Sequence, residues 1–353
     1  MASTPPLRVI ACPRIIRRQN PYGALLYGAL ADAGVTTDDW SWRRALVGRY
    51  DVVHVHWPEF PFWLPLPLRA LAAASLIAVL SWQRRRGAIV VWTAHNVVPH
   101  EPTRPAWAYR RFRDAFVRRV DRVTFLSDAA VDAARPVEPT LARLPHAVIP
   151  HGHYRAAYPP ATDRAIAHRR LALPADSHTA LFLGQVRAYK GVEQLVDAVR
   201  DAPDAAITVV IAGQPIDADL AGDLRAAAAA DSRIHLALGD VASPELPDLY
   251  GAADLVVLPF IRVSSSGSVI AALSFDRPVV VPDTELFREL RAAVGPHWVR
   301  LFRGTLTASV LEDAFAWAED GQEARTQAPL DAFDWPPIAA STAAFLREGA
   351  SAR

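Results

Sequence analysis

Leu181–Val192 reads LFLGQVRAYKGV. An apolar run ends on Gly184, a polar turn carries Arg187 and Lys190, and from Val192 to Arg200 the spacing turns helical. The next apolar run, Ile207–Ala212 closed by Gly213, reads as a second strand. Strand, turn, helix, strand at these lengths predicts a parallel sheet with helices on both faces. The turn also has a chemistry of its own. Cations between a strand end and a helix N-terminus make a diphosphate site, since guanidinium, ammonium and helix dipole all favour negative charge there.

The same alternation extends in both directions. Further strands are expected at Ile234–Leu238, Leu255–Pro259 and Pro278–Val281, with helix from about Leu311, a break at Trp335, Pro336 and Pro337, and a last helix to about Arg347. Upstream, strands are expected at Arg8–Cys12, Asp51–His56, Ala88–His95, Arg122–Ser127 and Ala147–Pro150, with a helix at Tyr22–Ala33. The stretch 156–174, polar and marked by proline, reads as a linker. The expected organisation is a first α/β domain over 1–155, the linker, a second over 175–335, and a final helix over 336–353 that returns to the first domain.

Composition narrows the possible functions. The 353 residues are 51% hydrophobic with net charge +1, which suits two packed domains and argues against a nucleic-acid partner. One cysteine, Cys12, excludes a disulfide framework and a multi-cysteine metal site. No secretory signal is read at the N-terminus, so the expected location is cytoplasmic. Among 38 basic residues Lys190 is the one lysine, in a chain whose Ala, Arg and Pro content reflects GC-rich codon use. A lysine kept under that bias marks a position where a compact ammonium does what a guanidinium cannot.

Polar clusters sit at strand ends, where open α/β sheets bind ligands. They comprise His54, His56, Trp57 and Glu59; Thr93, His95, Asn96, His100 and Glu101; His151, Gly152 and His153; and Arg14 to Tyr22, including Asn20. His54 and His56 share a strand face and could chelate, but no third ligand stands at a recognised spacing, so no metal is expected. In the second half Ser264, Ser265, Ser266, Gly267 and Ser268 precede an apolar helix; small residues there let backbone N–H groups approach phosphate, although an ordinary N-cap loop has the same composition. Ala70–Leu80 is too short an apolar run for a spanning helix. With Arg84, Arg85 and Arg86 behind it, and Arg110, Arg111 and Arg118 interleaved with Trp107, Tyr109, Phe112 and Phe116, it offers a surface suited to anionic lipid, or simply a buried helix beside a solvated charged face.

Leu181–Val192, Ile207–Gly213, Pro247–Pro259 and Ser264–Pro278 together resemble the donor-binding domain of GT-B glycosyltransferases of group 1, family 4-like. Thr93–Asn96 (TAHN) and Ile149–Gly152 (IPHG) resemble strand ends of the same group's first domain. The resemblance implies two Rossmann-like domains facing each other across a cleft. It implies a donor diphosphate held by Gly184, Arg187, Lys190 and the loop Ser265, Ser266, Gly267 and Ser268, and a transferred sugar touched by His95. The acceptor would lie by Asn20, Tyr22, His56, Asn96 and His151, with His95, Glu59 and Glu101 as candidate bases for an inverting reaction; a retaining one would not need the base. The paired glutamates of many retaining members are absent, their places falling on Val263 and Ala271.

The serine-glycine form of the loop resembles transferases of bacterial surface polysaccharide assembly and β-mannosyltransferases using a guanine nucleotide. That implies a nucleotide sugar such as GDP-mannose, a glycan or polyprenyl-diphosphate-linked acceptor, no cofactor or metal, and peripheral contact with the inner face of the membrane. A catalytically inactive sugar-nucleotide or glycan-binding partner, and an epimerase of the same architecture, are the alternatives.

Overall fold

The computed structural model describes residues 6–13, 15, 20–96, 105–263 and 265–352. Two compact units form: one runs through Gly152 and takes in Phe333 onward, the other is His153–Ala332. Each is built on a six-stranded, wholly parallel sheet.

The first unit contains β1 (Leu7–Cys12), β2 (Val35–Asp39), β3 (Val52–Val55), β4 (Ile89–Thr93), β5 (Arg122–Phe125) and β6 (His146–Val148), in spatial order β2-β1-β3-β4-β5-β6. β3 and β4 are buried at every residue, which explains their unbroken apolar character. Two cores flank the sheet. One gathers Val53, Val90 and Trp92 with Leu76, Leu80, Phe112 and Phe116 of the helices Leu68–Arg85 and Ala106–Val117. The other gathers Val9, Val52 and Val91 with Leu26 and Leu30 of the helix Tyr22–Asp32 and with Ile338 and Leu346 of the last helix, Trp335–Ser351.

The second unit contains β7 (His178–Leu183), β8 (Ile207–Gly213), β9 (Ile234–Leu238), β10 (Leu255–Val257), β11 (Val279–Pro282) and β12 (Val299–Phe302), in order β12-β11-β10-β7-β8-β9. The order of the sheet reverses between β7 and β10, as it does between β1 and β3 in the first, and such switch points are where ligands seat beyond the strand C-termini.

Four expectations are corrected. β2 and β12 were not expected; both are outermost strands, half exposed, and so lack the continuous apolar run that betrays a central one. The stretch 156–174 is not a free linker but part of the second unit, where the helix Arg164–Arg170 packs on the helix Leu246–Ala252 and Arg164 pairs with Asp254 at 3.1 Å. Trp335, Pro336 and Pro337 do not break the chain. They open its last helix, where a missing N–H costs nothing and the fixed φ of proline fits. Phe112 and Phe116 face the core, so of the aromatics on the second basic helix only Trp107 is exposed, with Arg110, Arg111 and Arg118. No helix among the described residues is long and apolar enough to cross a membrane.

Candidate functional site

In the second unit the switch point brings the expected donor residues together. β7 ends against Gly184, where a Cβ would sit 3.0 Å from Lys190 Nζ and 3.0 Å from Ser268 Oγ, so the ammonium and the hydroxyl both lie over a backbone that carries no side chain. Two contacts hold this arrangement. Gly191, at φ +70°, lies so close to the Pro259 carbonyl that any Cβ would strike it, and Ile261 N–H donates to the Tyr189 carbonyl at 2.9 Å. The turn bearing Lys190 is thereby tied to the segment that leads from β10 into the helix Gly267–Ser274. Beneath it Gly213, at φ +136°, closes β8 against the Gly184 carbonyl with no room for a Cβ.

Lys190 is half-buried and has no hydrogen-bond or ion-pair partner among the described residues; the Phe260 ring lies 6.0 Å from its Nζ. Burial, and then the charge of Arg187, lower its pKa to about 8. Two cations held together in a partly dry site repel until an anion arrives, which is the electrostatics of a diphosphate receptor. The Arg187 Nε donates to Gln185 Oε1 at 3.1 Å. Ser266 acts as N-cap, accepting from Val269 N–H at 3.3 Å, which is the ordinary structural use of such a loop. Gly267 and Ser268 form the first turn behind it, with N–H groups that no helical carbonyl can reach, and Ser265 is half-buried beside them. A cavity of about 1010 Å³ in the same unit, lined by Arg164, Asp254, Asp276 and Arg277, lies at the opposite edge of the sheet, before the starts of β7, β10 and β11, and takes no part in this cluster.

In the first unit the other switch point gathers the histidines. His54, from β3, and His56, just past it, each turn a ring nitrogen to the Tyr27 phenol, at 2.9 and 2.7 Å, so the two rings share one hydroxyl. His54 Nε2 lies 2.8 Å from Thr93 Oγ1 and His56 Nδ1 lies 3.2 Å from His95 Nε2. Burial lowers the pKa of His54 to about 3, so its ring is neutral. Tyr22 meets His95 edge-on at 5.0 Å and His151 at 4.6 Å, and its N–H is received by Asn20 Oδ1 at 3.0 Å. His151, lowered to about 4 by burial, turns Nδ1 toward the Gly152 carbonyl at 2.9 Å. Gly152 itself lies under Trp335, where a Cβ would come within 2.5 Å of the indole.

Of the expected acceptor-side residues, His56 is buried with both nitrogens engaged, so it supports His95 rather than facing a ligand. Asn96 and Glu59 are half-buried; Glu59 lies close enough to Tyr109 for its charge to add to the burial that raises that phenol's pKa. Glu101 lies outside the described residues, as do Arg14, His100 and Ser264. Sequence reasoning missed Tyr27 and Trp335. The buried positions Tyr22, Leu26, Tyr27 and Leu30 share one helix face, so periodicity places Tyr27 inward without revealing that its hydroxyl ends between two histidines.

Comparison with known proteins adds the following. The family model for group 1 glycosyl transferases matches residues 177–301. A GDP-mannose:glycolipid 4-beta-D-mannosyltransferase of Xanthomonas campestris pv. campestris is 35% identical over 350 residues, covering 96% of this chain and 93% of the relative. Two solved structures share the fold: sucrose-phosphate synthase from Thermosynechococcus elongatus (TM-score 0.69, 19% identity, 98% of this chain and 100% of that one) and Anabaena HepE in complex with UDP-glucose (TM-score 0.64, 14% identity, 98% of each).

Proposed function

This chain belongs to the group 1 glycosyltransferases and has their two-domain GT-B fold, and from that premise we propose that it transfers mannose from GDP-mannose to a lipid-linked glycan in surface polysaccharide assembly. The observation that carries this reading is Lys190, an ammonium with no hydrogen-bond or ion-pair partner among the described residues, held against Gly184 and Ser268 beside Arg187. Glycosyl transfer breaks the bond between the anomeric carbon and a phosphate oxygen, and negative charge accumulates on the departing diphosphate. Lys190, Arg187 and the first N–H groups of the helix Gly267–Ser274 are fixed donors for that charge and need no reorganisation as it develops. On this reading no divalent ion is required. The mannose donor and glycolipid acceptor follow from the Xanthomonas relative's name, which also favours a transferase over an inactive binding partner.

The acceptor's lipid would bring the enzyme to the membrane surface. Trp63, Leu66, Leu68, Leu71 and Trp107 are exposed on neighbouring elements of the first unit, with Arg69, Arg110 and Arg111 among them, a composition that suits anionic headgroups over an acyl boundary. The test of the reaction is incubation of the purified protein with radiolabelled GDP-mannose and a polyprenyl-diphosphate-linked oligosaccharide, with and without a chelator. Chelator-resistant label in the lipid phase is expected. Label transferred only from a uridine or thymidine diphosphate sugar overturns the donor assignment, and loss of transfer with chelator overturns the metal independence.

A further inference from the structure

Four buried contacts of the first unit run in series: Thr93 Oγ1, His54, Tyr27 Oη, His56, His95. Each neutral imidazole has one N–H and one lone pair, and the phenol has one proton, so wherever Tyr27 passes its proton along the chain the direction of one bond sets all the others. A third arrangement, in which both rings donate to the Tyr27 oxygen, strands the buried phenol proton and is disfavoured on that ground. Two polarities remain. In the first, His54 Nε2–H donates to Thr93. The Thr93 hydroxyl proton would then need another acceptor, and Thr93, 2% exposed, has none among the described residues. In the second, Thr93 donates to His54 Nε2, His54 Nδ1–H donates to Tyr27, Tyr27 donates to His56 Nε2, and His56 Nδ1–H donates to His95 Nε2. Every proton from Thr93 to His56 is then received, and the His95 proton is left on Nδ1. An unreceived buried hydroxyl biases the population by about five-fold to more than a hundred-fold, so the second polarity wins. Burial keeps the Tyr27 phenol protonated and His54 neutral, as either polarity requires.

We propose that Tyr27, His54 and His56 are positioning residues that hold the proton of His95 on Nδ1 with its Nε2 lone pair already engaged, so that His95 meets its next neighbour, protein or substrate, as a hydrogen-bond donor and not as a base. Taking up a second proton at Nε2 would require the whole chain to reverse and strand the Thr93 hydroxyl, so His95 stays neutral well below the usual histidine range. If His95 stands in the transfer site, as the proposed function has it, acceptor deprotonation falls to a carboxylate. The tautomer is read in donor-free protein and therefore stands or fails independently of that function.

The experiment is two-dimensional NMR on protein labelled with 15N-histidine, with His95 assigned by the His95→Gln variant. A single Nδ1–H tautomer, unchanged from pH 8 to pH 5.5, is expected in the wild type; an Nε2–H tautomer, or titration near pH 6.5, overturns the proposal. In Tyr27→Phe the chain is cut, and a mixed tautomer that titrates is expected, with a new acid limb in kcat and an unchanged KM for donor. Thr93→Ser, which keeps the donating hydroxyl, should retain the wild-type spectrum. A folded Tyr27→Phe variant whose His95 signals match the wild type counts against the chain, and if that variant does not fold the wild-type spectrum alone decides.

Discussion

The indole of Trp57 lies face to face with the imidazole of His95, ring centroids 4.4 Å apart and planes 12° from parallel. The stack fixes the plane of the His95 ring, and the bond to His56 fixes its rotation within that plane. Two elements that reach the strand ends separately, the turn after β3 and the end of β4, thus hold one side chain in a single pose. Trp57→Ala should lower turnover about tenfold while leaving nucleotide affinity unchanged, and His95→Ala should lower it on the order of 10²-fold, since misplacing or losing a positioned group costs that much. Steady-state kinetics with separate nucleotide titrations check both.

Lys190 should make nucleotide binding pH-dependent. In the donor-free protein burial and Arg187 hold its pKa at about 8, so the ammonium is charged below that pH and lost above it. A bound diphosphate favours the charged form, so affinity for GDP should fall as pH rises through about 8, with proton uptake on binding there. Lys190→Ala should remove the slope and cut turnover on the order of 10²-fold. Lys190→Arg should also remove the slope, because a guanidinium does not titrate, and should lose much of the activity. Calorimetry in buffers of different ionisation enthalpy measures the slope and the proton count.

Gly213→Ala should unfold the second unit readily. The new Cβ meets the Gly184 carbonyl at a backbone angle of φ +136°, and β7 and β8 cannot separate to admit it without losing their ladder. A loss of at least about 2 kcal/mol is expected, read as a lower urea midpoint with an unchanged slope.

Removing the chain from Trp335 onward should strip the first unit of one wall of its core, since Ile338, Ala339, Ala343 and Leu346 pack with Leu26, Leu30 and Val9. Aggregation or early unfolding of that unit is expected. The gentler Gly152→Ala, which drives a methyl into the Trp335 indole, should lower the melting temperature by several degrees, corresponding to about 1–3 kcal/mol of overpacking.

Flotation with vesicles containing phosphatidylglycerol should carry the protein upward, and a Trp63→Ala, Trp107→Ala double variant should stay at the bottom while remaining folded. Equal flotation on neutral vesicles would remove the charged component of the proposed membrane contact.

The central strands were legible because Val52–Val55, Ile89–Thr93 and Ile207–Gly213 are covered on both faces and so are written as continuous apolar runs. The edge strands Val35–Asp39 and Val299–Phe302 were not, since half their surface meets solvent and their residues are mixed accordingly. That Gly184, Lys190 and Ser268 would come together could be read because they fall in two short turns at strand ends, and the scarcity of lysine singled out position 190. The histidine chain could not. Its members come from three elements, and its linking atom belongs to Tyr27, which one-dimensional patterning counts only as another core residue.

The discontinuity of the first unit has a consequence for biogenesis. During translation roughly half of the protein, His153–Ala332, emerges between the first unit's sheet and the helix that seals it. Until the ribosome reaches Leu346, Leu26, Leu30 and Val9 have no lid, so the later-made unit can settle into its native form before the earlier-made one is complete. A nascent chain stalled before Trp335 would therefore carry a finished second unit and an unfinished first one, a state that calls for a chaperone's shelter at the earlier-made part of the polypeptide rather than the later.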